Sequence, residues 1–251
     1  MRISALVIVA GIHLLSAAPL SAAEVLVAVA SNFAEVADRI GTGFEEVTGH
    51  RVRFATGSTG KLYAQIRHGA PFDVLLAADR ARPDRLVSDG LAVVDSQTTY
   101  AVGRLALWGR SDPREAEDVE AALRAGGFRR LAIANPELSP YGVAARQTLE
   151  ALGLAEAFRP RLVFGENIGQ TFALVRTGNA ELGFVALAQL HSTPSLGGRH
   201  WLVPEGLHAP IRQDAVLLER AAEAPAARAF VEYLTSPAAR DLIRAHGYGT
   251  E

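Results

Sequence analysis

The sequence predicts an α/β protein with two similar halves, and two observations support this prediction. Apolar runs of strand length alternate with amphipathic helical patterns, which favours parallel sheets flanked by helices. The same alternation occurs twice along the chain, before and after a long apolar segment near residues 100–110. We therefore expect two lobes, each with a mostly parallel sheet, joined where the chain crosses between them.

The first series begins at Glu24, which precedes an apolar run that ends at Ala30. A helical pattern follows, and its apolar residues fall on one side. We expect these residues to be buried, namely Phe33, Val36, Ala37, Ile40 and Phe44. The other elements predicted for this half are strands at 51–55 and 74–78 and helices at 60–68 and 83–91.

The second series has the same order of elements. Strands are predicted at 131–134, 161–164 and 182–186. Helices are predicted at 114–125 and 168–177, and a further helix follows the turn at 135–142 and ends at Leu152. Strands at 201–203 and 210–218 and helices at 224–234 and 236–246 complete the chain. Crossings near 99–103 and 204–210 predict one lobe of residues 24–99 with 208–251 and a second of residues 100–207.

The amino terminus has the composition of a secretory signal. Arg2 precedes an apolar run from Ile3 to Leu15, and the small residues Ser-Ala-Ala stand directly before Glu24. This run is shorter than the roughly 20 residues that cross a bilayer. We expect residues 1–23 to be a signal peptide and the mature protein to be exported to the periplasm without inserting in the membrane.

Composition limits the classes of function. Removing 23 of the 251 residues leaves 228, enough for two modest lobes or one large domain, and no cysteine is present for disulfides or lipidation. The formal net charge is −2, so no overall field attracts nucleic acid or an acidic membrane. An anionic ligand would have to be bound by local groups.

Four predicted strand-to-helix turns share one chemistry. They contain Ser31-Asn32, Ser58-Thr59, Pro140-Tyr141 and Asn167-Ile168, with glycines at both ends of 57–60. Such turns lie at the carboxyl ends of strands, where α/β sheets bind ligands, and present backbone N–H groups at positive helix ends. Neutral donors of this kind suit a small, fully ionised oxyanion. Ser, Thr and Asn are also ordinary N-caps, an interpretation that needs no ligand.

Several segments resemble the periplasmic molybdate-binding proteins of ABC transporters. They are residues 29–33, 69–79, 135–142, 183–189 and 245–248, and the resemblance covers essentially the whole mature chain. It implies a type II periplasmic binding protein fold, with two crossover strands as its hinge. It also implies a monomeric, non-enzymatic receptor that has no cofactor and delivers molybdate or tungstate to a membrane permease.

The resemblance also implies which residues bind the oxyanion. They are Ser31, Asn32, Thr59, Tyr141 and Ile168, which would donate side-chain or main-chain hydrogen bonds without direct bonds to the metal. For Tyr141 we favour the main-chain N–H, because Pro140 leaves it as a free donor at the helix start. Some members of the family place a tyrosine where this chain has Ala186, and we expect Ser31 to replace that donor.

The same fold suits sulfate, thiosulfate or another tetrahedral oxyanion, and a ligand sensor would use the same cleft. An exported hydrolase acting through Ser58 or Thr59 is disfavoured, because residues 57–60 lack the Gly-x-Ser-x-Gly elbow and no partner histidine is recognisable.

Other polar residues are assigned structural roles. Asp73 and Asp79 are about 20 Å apart along a strand, too far for paired catalysis, so we expect them to bind loop N–H groups. Lys61, the single lysine, is expected to point to water. The histidines at 191, 200 and 208 lack the spacing of a metal motif.

Overall fold

The computed structural model describes residues 22–109 and 119–250. Residues 1–21 of the expected signal peptide and residues 114–118 of one predicted helix lie outside this part of the chain. Within the described residues, no helix is both long and apolar enough to cross a membrane.

The elements follow the predicted alternation. In the first half they are β1 (Glu24–Ala30), α1 (Ala34–Thr48), β2 (Arg51–Gly57), α2 (Thr59–Arg67), β3 (Val74–Leu76), α3 (Ala81–Ser88) and β4 (Thr98–Gly103). In the second half they are β5 (Leu105–Gly109), α4 (Val119–Ala125), β6 (Leu131–Ala134), α5 (Pro140–Ala151), α6 (Ala155–Phe158), β7 (Leu162–Gly165), α7 (Ile168–Arg176), β8 (Leu182–Ala186), α8 (Leu187–Ser192) and β9 (Arg199–Leu202). The chain ends with β10 (Ile211–Leu217), α9 (Pro225–Leu234) and α10 (Pro237–Ala245).

The strands form two five-stranded sheets with equivalent topologies, β2-β1-β3-β10-β4 and β7-β6-β8-β5-β9. In the first sheet β1 is parallel to β2 and β3, whereas β10 is antiparallel to β3 and β4. In the second, β6 is parallel to β7 and β8, whereas β5 is antiparallel to β8 and β9. The predicted two-lobed fold is confirmed, and each sheet is mixed because it contains one antiparallel strand that follows directly after a crossing between the sheets, β10 in the first and β5 in the second. We call each sheet with its helices lobe 1 and lobe 2.

The chain passes between the two sheets at two places. The long apolar segment at 100–110 is divided at Arg104, so that β4 ends in lobe 1 and β5 begins in lobe 2. The predicted lobe boundary between residues 99 and 100 falls within β4, which pairs with β10 of lobe 1. The return crossing runs from Val203 to Pro210 and contains a short 3-10 helix. Both lobes are therefore joined by segments that lie beside β10.

The face of α1 that the sequence predicts to be apolar is buried in lobe 1. Phe33, Val36, Ala37, Ile40 and Phe44 are each at most 1% exposed and belong to one hydrophobic cluster. In that cluster the ring of Phe33 meets the rings of Tyr100 and Tyr248 edge on, with centroids 4.7 and 5.4 Å away. This packing fixes the start of α1, and it places two tyrosine hydroxyls directly behind the first of the polar turns.

Candidate functional site

Three of the four turns are helix starts with Ser or Asn at the N-cap position, and in two of them the side chain makes a capping hydrogen bond. Ser58 Oγ accepts a hydrogen bond from Lys61 N at 3.4 Å, and Asn167 Oδ1 accepts one from Gln170 N at 3.0 Å. The third helix start, that of α5, has Ser139 at the N-cap position and Pro140 in its first turn. The ordinary capping role is thus confirmed for Ser58 and Asn167, whose side chains point at their own helices.

The turns of the two lobes contact one another. Ser31 Oγ accepts from Gly169 N of α7 at 3.4 Å, and Gly60 N of α2 donates to Leu138 O at 2.9 Å, next to the start of α5. A Cβ at position 60 would lie 3.0 Å from Leu138 Cα and 3.1 Å from its carbonyl oxygen, so this approach depends on glycine. Each pair of predicted turns is therefore brought together across the cleft.

Lys61 has a different role from the one expected. Its Nζ lies 2.6 Å from Glu166 Oε2, and the two side chains are 51% and 35% exposed. The expectation that Lys61 points only to water is wrong, because the start of α2 faces the turn between β7 and α7. A second contact, from Arg82 Nη2 to Glu137 O at 3.1 Å, also joins the lobes. The lobes are thus held closed at the rim of the cleft.

Each turn contributes at least one backbone N–H that has no partner among the described residues. Within residues 22–109 and 119–250, the N–H groups of Asn32, Thr59, Tyr141 and Ile168 make no hydrogen bond to another residue. These residues are only 5%, 1%, 1% and 2% exposed, respectively. Helix starts leave such donors without intrahelical acceptors, and buried N–H groups almost always have partners. Two donors from each lobe therefore lack an acceptor in the part of the chain that the structure describes.

The side chains of these residues are mostly engaged elsewhere. Asn32 Nδ2 donates to Gln213 Oε1 at 2.8 Å and to the Tyr248 hydroxyl at 3.1 Å, and that hydroxyl donates to Asn32 O at 2.7 Å. The Tyr141 hydroxyl accepts from Gln213 Nε2 at 3.2 Å. Asn32 and Tyr141 can thus offer a ligand their main-chain N–H groups, whereas their side chains hold the turns in place.

Two hydroxyl groups have a hydrogen atom left to donate. Thr59 Oγ1 accepts from Ala78 N at 3.1 Å, and Ser31 Oγ accepts from Gly169 N, so both oxygens act as acceptors in these bonds. A hydroxyl donates one hydrogen bond in addition to those it accepts. Ser31 and Thr59 therefore each have a hydroxyl hydrogen to donate, in addition to the four backbone N–H groups.

The buried side chains that hydrogen-bond to Asn32 and Tyr141 are uncharged. Burial raises the pKa of Tyr100 and of Tyr141 well above the usual range, and it also raises the pKa of Tyr248, so these hydroxyls stay protonated. Among the described residues, Asp214 is the one buried carboxylate, and it binds Gln97 Nε2 at 2.8 Å and Thr99 Oγ1 at 2.7 Å. It lies next to Gln213 in β10, where the register with β4 shifts between the two residues.

The other polar residues singled out from the sequence have structural partners. Asp73 Oδ2 accepts from Leu26 N at 2.8 Å, and Asp79 Oδ1 accepts from Arg82 N at 3.0 Å. Both carboxylates bind backbone N–H groups, but the partner of Asp73 lies in strand β1 and not in a loop. His208 Nδ1 lies 2.8 Å from Ala209 O. Within 22–109 and 119–250, no group of three or more potential ligands is arranged to hold a metal ion.

Sequence reasoning missed Gln213, whose side chain joins Asn32 to Tyr141. The single signal for it is the polar pair Gln213-Asp214 within the otherwise largely apolar strand β10. It also missed Gly103, where a Cβ would overlap the Tyr141 hydroxyl and lie 2.6 Å from Gln213 Nε2. The end of β4 thus has to be glycine for this hydrogen bond to form.

Nearly the whole described sequence matches the model of one protein family. The family model described as bacterial extracellular solute-binding protein matches residues 25–249. The chain belongs to this family. As a member, it is a solute-binding protein of the transport class, which agrees with its fold of two similar sheets joined by two crossings.

Named relatives of this solute-binding protein bind molybdate. The molybdate-binding protein ModA of Azotobacter vinelandii is 48% identical over 250 residues, 99% of this chain and 98% of the relative. The protein of the same name from Rhodobacter capsulatus is 46% identical over 248 residues, 99% and 95% of the two chains. The solved periplasmic molybdate-binding protein of A. vinelandii has a TM-score of 0.85 at 37% identity, covering 90% of this chain and 99% of that one. The resemblance indicated by the sequence motifs is confirmed.

Proposed function

We propose that this solute-binding protein captures molybdate, and also tungstate, between its lobes in the periplasm and presents it as a monomer to the permease of an ABC transporter. One observation carries this proposal. Four buried backbone N–H groups, one from each turn and two from each lobe, lack an acceptor in the described protein. A tetrahedral oxyanion supplies acceptors in several directions at once, and relatives nearly half identical to this chain are named for binding molybdate.

The proposed ligand set is Ser31, Asn32, Thr59, Tyr141 and Ile168. In this proposal Asn32, Tyr141 and Ile168 act through their main-chain N–H groups, and Ser31 and Thr59 also donate from their hydroxyls. The helix starts add partial positive charge without a counter-ion. Each hydrogen bond to a charged acceptor contributes about 1.5 to 3 kcal/mol net. Donors from both lobes would then stabilise the closed conformation only when the anion is present.

Neutrality of the site favours an anion without a proton. Phosphate at neutral pH carries a proton that must be donated to an acceptor, and a site made only of donors would meet that O–H with other donors. The buried carboxylate that could accept it, Asp214, is already bound by Gln97 and Thr99. We therefore expect phosphate to be rejected on hydrogen-bond grounds.

Sulfate and thiosulfate are the principal rivals, because sulfate has the same charge and shape as molybdate. Its bonds to oxygen are shorter, so donors spaced for molybdate would make longer, weaker hydrogen bonds to sulfate. Selection between molybdate and sulfate thus depends on the size of the cleft. Titration of the protein with each anion measures this selectivity directly.

The test is calorimetric titration of the mature protein with molybdate, tungstate, sulfate and phosphate. We expect the first two to bind far more tightly than sulfate, and phosphate not to bind. Ser31→Ala and Thr59→Ala should each weaken molybdate binding by about tenfold through loss of one donor. Ser88→Ala is the matched control, because Ser88 Oγ bonds only to Arg85 O on the exposed end of α3. Tighter binding of sulfate than of molybdate, or parent affinity in both site variants, would overturn the proposal.

A further inference from the structure

Gln213 occupies a position that connects both lobes to the return crossing. It lies in β10, is fully buried, and stands at the shift in register where β10 passes Tyr100 of β4. The return crossing ends at Pro210, three residues before it. A buried polar side chain at the base of a hinge is costly unless all its groups are bonded, so its partners indicate its role.

Those partners come from three separate parts of the chain. Gln213 Oε1 accepts from Asn32 Nδ2 at 2.8 Å and lies 3.2 Å from the Tyr100 hydroxyl. Gln213 Nε2 donates to the Tyr141 hydroxyl at 3.2 Å. One amide thereby links a turn of lobe 1 to the first turn of α5 in lobe 2. Both of these linked residues, Asn32 and Tyr141, carry a backbone N–H without a protein partner.

We propose that Gln213 is a positioning residue for anion binding, which sets the separation and direction of the Asn32 and Tyr141 N–H groups when the lobes are closed. It touches no part of the proposed ligand and acts through the two residues that do. The inference rests on the proposed function, since it concerns the same oxyanion cleft.

The geometry around Gln213 leaves little room for another arrangement. The close approach of the Tyr141 hydroxyl and Gln213 Nε2 passes over Gly103, where any larger residue would push them apart. On the far side, the Asn32 side chain is also held by Tyr248, whose hydroxyl donates back to Asn32 O. A shift at Gln213 would therefore be transmitted to both turns and not absorbed locally.

The variant Gln213→Glu distinguishes a positioning role from a purely structural one, because only a positioning role makes molybdate affinity depend on the protonation of residue 213. A protonated carboxyl can accept from Asn32 and donate to Tyr141 as the amide does, whereas an ionised one has no hydrogen to donate and adds charge near a dianion. The titratable groups facing it are Tyr100, Tyr141 and Tyr248. Burial raises the pKa of each, so they stay neutral, and Asp214 and Asp79 act on Tyr100.

The experiment is titration of molybdate into the full mature protein and its variants across pH. Relative to the parent at each pH, Gln213→Glu should bind within about threefold near pH 5 and at least about tenfold more weakly near pH 8. Gln65→Glu is the matched control, because it adds the same charge on the exposed face of α2 and should follow the parent. Tyr141→Phe keeps the backbone N–H but loses the hydroxyl, and it should weaken binding by about tenfold at every pH.

The outcomes separate this inference from the proposed function. If the parent fails to bind molybdate, both are overturned. If the parent binds while Gln213→Glu and Tyr141→Phe bind equally well at all pH values, Gln213 is only a buried structural residue and this inference alone is overturned. If Gln213→Glu loses the same amount of molybdate affinity at both pH values, the inference is also overturned. Such a loss would come from altered packing, which does not depend on the protonation of the introduced carboxyl group.

Discussion

Replacing Thr59 by aspartate tests whether the cleft binds a dianion through neutral donors. Thr59 is 1% exposed, and its Oγ1 accepts a hydrogen bond from Ala78 N at 3.1 Å. A carboxylate oxygen can accept the same bond, so we expect the fold to be retained. The proposed hydroxyl donor is replaced by a negative charge directed at the ligand.

Two costs compete in this variant, and the smaller one decides the outcome. Repulsion between a carboxylate and a dianion at about 4 Å is about 8 kcal/mol at an effective dielectric constant of about 20. The carboxyl avoids this repulsion by taking up a proton, which costs about 4 kcal/mol at pH 7 for a group whose ordinary pKa is about 3.9. The expected loss at neutral pH is therefore about 4 kcal/mol, or about a thousandfold in Kd.

The sign of the pH dependence follows from this proton. The bound anion raises the pKa of the introduced carboxyl above its value in the free protein, so binding takes up a proton. Affinity is then greatest below the pKa of the free protein and falls about tenfold per pH unit as the pH rises above about 4. Calorimetry in two buffers of different ionisation enthalpy measures this uptake.

Ser88→Asp is the control for this variant, since it adds the same charge at the exposed end of α3. It should bind molybdate like the parent at every pH. Parent-like affinity for Thr59→Asp, or a large loss without proton uptake, would refute the placement of Thr59 beside a dianion.

Two further predictions concern the rim and the buried tyrosines. Lys61→Gln and Glu166→Gln should each weaken anion binding by up to about fivefold at low salt, because a partly exposed ion pair contributes about 0.2 to 1 kcal/mol. If the two charges acted only through their long-range field on the anion, Lys61→Gln would weaken binding and Glu166→Gln would strengthen it. Stopped-flow dissociation rates at low and high salt would distinguish these two results. Because burial raises the pKa of Tyr100, Tyr141 and Tyr248, their stabilising contribution is complete below the ordinary tyrosine pKa of about 10 and is lost as the pH rises through the folded values. Ultraviolet titration should show these three of the five tyrosines ionising only with unfolding, and ordinary titration of all five would contradict this.

The sequence predicted the fold well because its signals are local. Strand length, helical periodicity and capping residues are properties of neighbouring residues, so the buried face of α1 and the turns at Ser58 and Asn167 were readable in advance. The assignments of Asp73 and Asp79 to backbone N–H groups followed from distances along a strand. The resemblance to molybdate-binding proteins was also carried by contiguous motifs, such as residues 69–79 and 135–142.

The residues whose side chains connect the turns could not be predicted from such local patterns. Gln213 is 181 residues from Asn32 and 72 from Tyr141, and a glutamine in a strand has no local preference that reveals such partners. Lys61 was misjudged for the same reason, because its partner Glu166 comes from the other lobe.

By itself the sequence determined two α/β lobes, their crossings and the four turns rich in neutral donors. The tertiary structure alone decided which donors are left without partners and which side chains align them. The physical reason is that a helix start exposes N–H groups wherever it occurs, whereas their convergence depends on how two lobes pack against each other. In this chain that packing is set by contacts such as Gly60 with Leu138 and Gly103 beneath Tyr141.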